Sequence, residues 1–150
     1  MSEATICTRK FEFDMGHRVL GHQGKCRFPH GHRYVAEVTL SAPLDELGFV
    51  MDFGLIKEQI GSWIDSNLDH GFLINAKDEQ LRAGLAMLDD AKVKVVAFNP
   101  TAENIAQWLV EQLQNIMRMY GASKEIDAPR VTHVRLYETP NCWADAYASS

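Results

Sequence analysis

The chain has 150 residues, 46% hydrophobic and 23% charged, the balance of an ordinary globular protein with one real core. Fifteen Lys and Arg stand against twenty Asp and Glu, a formal charge of −5 with no basic cluster, which argues against a nucleic-acid surface. The N-terminus lacks a signal-peptide pattern and no apolar run reaches transmembrane length, so the expectation is a single cytoplasmic domain over residues 1–150 with no membrane partner.

Residues 5–20 read as an extended stretch, with Cys7, Arg9, Phe11 and Phe13 alternating against Ile6, Thr8, Lys10, Glu12 and Asp14. Gly16 is read as a bulge in it. Residues 21–29 form a loop with two glycines and a proline. Residues 32–42 read as a second strand. Tyr34, Ala36, Val38 and Leu40 share one face, and Val35, Glu37, Thr39 and Ser41 the other. Pairing the two strands as an antiparallel hairpin brings His17 near His30 and His32.

A turn over residues 43–48 precedes Asp52, an N-cap for a helix running to about Leu68. Phe53, Ile56, Ile60, Trp63 and Ile64 give that helix a buried stripe. Leu68-Asp69-His70-Gly71 ends it. Residues 78–90 read as a short helix and 92–98 as a valine-rich strand. Thr101 caps a second long helix to about Tyr120, with Ile105, Leu109, Leu113, Ile116 and Tyr120 on its apolar side and Gly121 as C-cap. Residues 130–139 read as the last strand, ended by Pro140. Strands and two long helices in this order give an α+β class, with helices on one face of an antiparallel sheet.

The chemistry concentrates at Cys26-Arg27-Phe28-Pro29-His30-Gly31-His32. On a strand, His30 and His32 point to one face. With His17 they offer three neutral imidazoles and an open fourth position, the pattern of a catalytic zinc site. Cys26 lies between Lys25 and Arg27, which favours thiolate. It is either a general base beside the metal or its fourth ligand. Cys7, Cys26 and Cys142 form no CxxC pair and are read as free thiols. Asp69-His70 is a helix end or an acid–base pair. Glu138 is a solvated strand end or a carboxylate that accepts two parallel hydrogen bonds from an amidine-like ring edge.

The ordered set Phe13 to His17, Cys26 with His30-Gly31-His32, Asp52-Phe53, Leu68-Asp69-His70, Asn99-Pro100-Thr101-Ala102-Glu103-Asn104 and Glu138-Thr139 resembles the 6-pyruvoyl-tetrahydropterin and 6-carboxy-tetrahydropterin synthase family. The resemblance implies a tunnelling fold: a four-stranded antiparallel sheet with two long helices on one face. Sheets join across subunits into a barrel, as a homohexamer of two stacked trimers. It implies His17, His30 and His32 as Zn2+ ligands and Cys26 as catalytic base. Asp69 and His70 become its relay partners, with His70 supplied by a neighbouring subunit. Glu138 is the pterin anchor and is drawn into the relay, and Thr101 and Glu103 border the pterin pocket. The implied substrate is 7,8-dihydroneopterin triphosphate. The three-residue gap between Cys26 and His30 resembles the bacterial 6-carboxy enzymes of queuosine biosynthesis more than the pyruvoyl enzymes. A pyruvoyl synthase and a non-catalytic zinc- and pterin-binding module are the competing readings. The segment 71–98 is longer than in compact members.

Overall fold

The structure is a computed structural model and describes residues 4–149. In chain order its elements are β1 (Thr5–His17), β2 (His30–Ala42), α1 (Phe53–Ile56), α2 (Ser62–Asn67), β3 (Gly71–Asn75), α3 (Glu79–Ala86), β4 (Val93–Val96), α4 (Ala102–Lys124), β5 (Arg130–Thr139) and β6 (Cys142–Tyr147). The six strands form one sheet in the order β4-β3-β1-β2-β5-β6.

Strands β1 and β2 pair antiparallel along their whole length, from Thr5 opposite Ala42 to His17 opposite His30. The register runs unbroken through Gly16 and Gly31, so the bulge expected at Gly16 is absent. Gly16 serves another purpose. A Cβ there would lie 2.5 Å from the ring of Phe72, which covers the strand on its other face. The bulge sits in β5 instead: Thr39 faces His133 and Leu40 faces Val131, so Thr132 is the extra residue. It reverses the alternation, and Val131, Val134 and Leu136 all reach the core although the sequence period puts Val131 on the opposite face from the other two.

The α+β class holds, and β1-β2-β5-β6 are the four antiparallel strands expected. The sheet is wider than that. Strands β3 and β4 extend it in parallel beyond β1. Strand β5 is not the last, because Pro140-Asn141 is a hairpin turn, with the Asn141 N–H on Thr139 Oγ1 at 3.2 Å. Both extra edges were hard to read. Strand β3 has five residues directly after a helix, and β6 presents small residues to the core face.

Asp52 caps α1 as expected, its carboxylate accepting from Gly54 N at 2.7 Å. The run from α1 to α2 is interrupted by a π-helical turn over Lys57–Gly61. Gly61 lies there against the Phe11 ring, where a Cβ would be 3.2 Å away. Ile56, Ile60 and Ile64 are buried, whereas Phe53 is exposed. Helix α4 is capped by Thr101, which accepts from Asn104 N at 3.2 Å. It continues past Gly121 to Lys124 and ends on Glu125 at φ 57°. Gly121 is therefore not the cap. A Cβ there would meet the carbonyl oxygen of Ile126 at 2.8 Å, so the glycine admits the returning chain.

One apolar cluster joins the layers. Ile56, Ile60 and Ile64 on one side and Ile105, Leu109, Leu113 and Met117 on the other pack on Phe11, Phe13, Tyr34, Val38, Leu40, Val134 and Leu136. Trp63 and Trp108 link the two helical runs, their ring centroids 5.6 Å apart. The site forms where this sheet face runs out at the ends of β1 and β2.

Candidate active site

The β1–β2 register places His17 directly opposite His30 and His32 opposite Met15, so all three imidazoles share the core-facing side. Their ring centroids are 4.7 Å (His17–His30), 5.3 Å (His17–His32) and 4.8 Å (His30–His32) apart. Glu138, near the end of β5, joins them: its Oε1 is 3.2 Å from His17 Nε2 and 2.9 Å from His32 Nε2. One ligand atom from each of the four residues lies within 4.8 Å of all the others.

The tautomers are set from outside. His17 Nδ1 is 2.6 Å from the carbonyl oxygen of Pro100, and His30 Nδ1 is 2.6 Å from that of Phe28. A carbonyl only accepts, so each ring carries its proton on Nδ1 and presents a bare Nε2. His17 Nε2 and His32 Nε2 are buried without a well-aligned hydrogen-bond partner. The bare Nε2 of His17 facing a carboxylate oxygen is repelled by it unless a cation lies between them. Three imidazoles and one carboxylate converging in this way fit a zinc ion.

The electrostatics follow the packing. Pairing with His17 holds the Glu138 carboxyl below the usual carboxylate range against the opposing effect of burial, and His32 and His30 add to it. Burial pushes His32 down; Glu138 opposes this, while His17 and His30 reinforce it. Tyr34 is a residue that the sequence placed only on a strand face with Ala36, Val38 and Leu40. Its buried hydroxyl has no partner, and its ring lies 5.9 Å from that of His17 and 5.7 Å from that of His32. Burial pushes its phenol up, reinforced by Glu138 and Cys26. The signal was available: Tyr34 is two residues beyond His32 and so on the same face.

Cys26 sits on a single 3-10 turn, Lys25–Arg27, and is half-buried. Its carbonyl accepts from Val19 N at 2.7 Å, two residues beyond His17, which puts the residue at the same end of the sheet as the histidines. Glu138 Oε1, and not Cys26 Sγ, is the atom that converges with the three ring nitrogens.

Asp69 and His70 form a second cluster with Asp14. His70 Nδ1 is 2.9 Å from Asp69 Oδ2, and Asp69 Oδ1 accepts from Asp14 N at 2.9 Å. Burial pushes the Asp69 carboxyl up, but the Asp14 N–H, His70 and Lys92 together outweigh it and hold it below the ordinary value. His70 is held at φ 62° and its side chain is 77% exposed. Asp14 lies between the core residues Phe13 and Met15, so it points away from the helices. An open cleft on that side is lined by Asp14, Gly16, Gly31, Arg33, His70 and Phe72. Among the described residues the chain thus builds two groups, His17-His30-His32-Glu138 and Asp14-Asp69-His70.

Thr101 and Glu103 begin α4, Thr101 as its cap and Glu103 in its first turn. Their stretch reaches the histidines through the Pro100 carbonyl. His22 bonds its own loop, accepting from Gly24 N at 2.8 Å. His133 pairs with Asp145 at 2.6 Å and stacks on Tyr147. Trp143 packs on Tyr137 and under Arg135 in the β5–β6 hairpin.

Residues 6–149 match the family model described as 6-pyruvoyl tetrahydropterin synthase. The chain belongs to that family. It is therefore an enzyme of the tetrahydropterin synthase type. It is 43% identical over 140 residues to a 6-carboxy-5,6,7,8-tetrahydropterin synthase of Rickettsia bellii, covering 93% of this chain and 97% of the relative. An uncharacterised protein of Wolinella succinogenes has a similar crystal structure, with a TM-score of 0.79 at 25% identity over 99% of this chain and all of that one. The 6-pyruvoyl tetrahydropterin synthase of Caenorhabditis elegans shares the fold, at a TM-score of 0.68 and 23% identity over 99% of this chain and all of that one. The tunnelling fold implied by the sequence is thus borne out for the single chain. Among the described residues no helix is long and apolar enough to cross a membrane.

Proposed function

We propose that the protein is a zinc-dependent 6-carboxytetrahydropterin synthase. It would convert 7,8-dihydroneopterin triphosphate and water to 6-carboxy-5,6,7,8-tetrahydropterin, acetaldehyde and triphosphate, on the route to queuosine. The observation that carries this reading is the convergence of His17, His30, His32 and Glu138 on one point, with two buried ring nitrogens left without a hydrogen-bond partner. The Rickettsia relative bears the 6-carboxy name, which favours that product over the pyruvoyl one.

His17, His30 and His32 would hold the ion, which would supply Lewis-acid polarisation of the substrate's side-chain hydroxyls. Every other task falls to the protein. Glu138 accepts the ring N–H and 2-amino hydrogens of the pterin, turning its carboxylate from the imidazoles to the ring edge. Glu138 starts beside His17 and His32, so the ring that it holds lies in the same pocket as the imidazoles. Cys26, as thiolate, takes a proton from that side chain. His70 returns one from Nε2, its Nδ1 held by Asp69. Thr101 and Glu103 border the pocket from the start of α4.

His70 lies in the exposed cluster and outside the histidine group, which supports active sites shared between copies, as in a hexamer whose sheets close a barrel. The test is incubation of the zinc-loaded protein with 7,8-dihydroneopterin triphosphate and analysis of all products. The 6-carboxy product with equimolar acetaldehyde is expected. A pyruvoyl product would move the protein to the other branch. Intact substrate would leave a binding module.

A further inference from the structure

Asn75 and Asp78 lie within the long segment 71–98, and both are buried. The other buried polar residues among those described are His17, a member of the site, and Thr39. Asn75 ends β3 and Asp78 caps α3. Buried amides and carboxylates must be matched by partners. The partners of this pair lie outside their own elements.

Asp78 receives the guanidinium of Arg18 in a two-point pair, with Nε on Oδ2 at 2.5 Å and Nη2 on Oδ1. Arg18 directly follows His17. Asn75 Nδ2 donates to Asn99 Oδ1 at 3.0 Å, and its own Oδ1 accepts from Lys77 N at 3.0 Å. Asn99 in turn grips Leu20 at both backbone groups: Leu20 N donates to Oδ1 and Nδ2 donates to Leu20 O, each at 3.0 Å. The orientation of the Asn99 amide is forced by this double bond and by Asn75. Between Arg18 and Leu20, the Val19 N–H donates to the carbonyl of Cys26 at 2.7 Å.

We propose that the segment 71–98 clamps the loop that carries Cys26, with Asn75 and Asp78 as positioning residues. The loop over residues 18–29 needs such a clamp. Its one regular feature is the turn at Lys25–Arg27, its internal bonds tie the loop to itself, and Leu20 and Phe28 are exposed, so its attachment to the body of the fold falls to Asp78 and Asn99. The same network reaches the histidines. Asn104 Nδ2 donates to the carbonyl of Asn99 at 3.0 Å, and the next carbonyl, that of Pro100, fixes His17. One hydrogen-bonded patch thus sets both the thiol loop and one imidazole. The catalytic consequence rests on Cys26 being the base; the clamp itself does not.

The test uses the full-length zinc-loaded protein with Asn75→Ala or Asp78→Asn. Asparagine caps a helix as well as aspartate, so the second change keeps α3 while it removes the charge that Arg18 meets and turns one of its two acceptors into a donor. Iodoacetamide alkylation of Cys26 is followed by peptide-resolved mass spectrometry, with exposed Cys142 as the internal reference. Cys26 should react at a rate changed by at least about fivefold, the effect of one net hydrogen bond on a local opening, with Cys142 unchanged. Turnover should fall by about 10–100-fold in kcat with KM little altered, as for a misplaced catalytic group. A purely structural role would lower Tm and leave Cys26 reactivity in the native protein as it was. Unchanged Cys26 alkylation in both variants overturns the clamp. Should Asp78→Asn fail to fold, Asn99→Asp, equal in size but unable to donate to Leu20, gives the same reading. Alkylation decides the clamp without reference to turnover, whereas kcat of Cys26→Ala decides the base.

Discussion

His17 Nδ1 stands 2.6 Å from the carbonyl oxygen of Pro100, joining the end of β1 to the start of α4. The bond turns Nε2 toward His30, His32 and Glu138 and keeps it unprotonated, the state a metal requires. His17→Ala should therefore lose zinc, with affinity down by more than the roughly 10–100-fold typical of an outer-shell change. His22→Ala is the control, since that ring bonds only its own loop. Zinc content after dialysis checks both, and a His17→Ala protein that stays fully loaded would remove His17 from the site.

Glu138 tests the division of labour between metal and pterin. Its Oε1 lies against two imidazoles, so it senses both. Three histidines suffice for a catalytic zinc, and the carboxylate is free to serve the ring edge. Glu138→Gln should hold zinc near one per chain and lose pterin affinity by at least about tenfold, because an amide cannot accept two parallel N–H bonds. Equilibrium binding of a dihydropterin, with metal analysis on the same sample, separates the two. Unchanged pterin affinity would end the anchor assignment.

The histidine cluster was legible because strand period and hairpin pairing are short-range rules: His30-Gly31-His32 fixed a face, and pairing brought His17 onto it. Glu138 was harder. It keeps the phase of Val134 and Leu136, but its nearness to His17 and His32 rests on the pairing of β5 with β2, far away in the sequence. The tautomers were out of reach, since they depend on the carbonyls of Pro100 and Phe28, and carbonyls carry no sequence signal. Strand β3 and the parallel pairing of β4, whose valine run at 92–98 did read as a strand, were missed for a related reason. Their partners are set by tertiary contact, and short apolar runs read equally as strand or helix. Long-range backbone bonding, more than side-chain chemistry, separates the sequence reading from the structure.

The two clusters predict complementation between defective copies. Cys26→Ala and His70→Ala should each lose about 10²–10⁴-fold in turnover, the span of acid–base catalysis. Mixed after dissociation and reassembly, they should recover about a quarter of the parent activity, the statistical share of sites with both residues intact if partners supply them. Zinc content of Cys26→Ala should match the parent. No recovery in verified mixed oligomers would place both residues of a site in one chain.

Gly16→Ala probes the far side of the strand. The new methyl would sit 2.5 Å from the Phe72 ring, so the ring must leave the cleft. The expected loss of stability is about 1–3 kcal/mol, the range for overpacking. Combining it with Phe72→Leu should return part of that loss, giving a non-additive pair in denaturant unfolding. Full additivity would show that the ring is not the obstacle.

The last prediction concerns acid. Arg18 holds the Asp78 carboxyl below its ordinary value, chiefly by hydrogen bonding, against the effect of burial. As pH falls, the unfolded chain therefore takes up the proton first. The contribution of the pair is complete above the ordinary aspartate pKa of about 4, and it is lost progressively as pH falls through the depressed folded value. Asp78→Asn lacks this dependence but keeps the cap. The parent should thus exceed Asp78→Asn by about 1–3 kcal/mol at neutral pH, the worth of a charged hydrogen bond at a buried site. The gap should narrow below about pH 4. Urea unfolding of both proteins across this range measures it. A gap that stays constant with pH would mean that Asp78 titrates alike in folded and unfolded chains, and that Arg18 does not stabilise its charge.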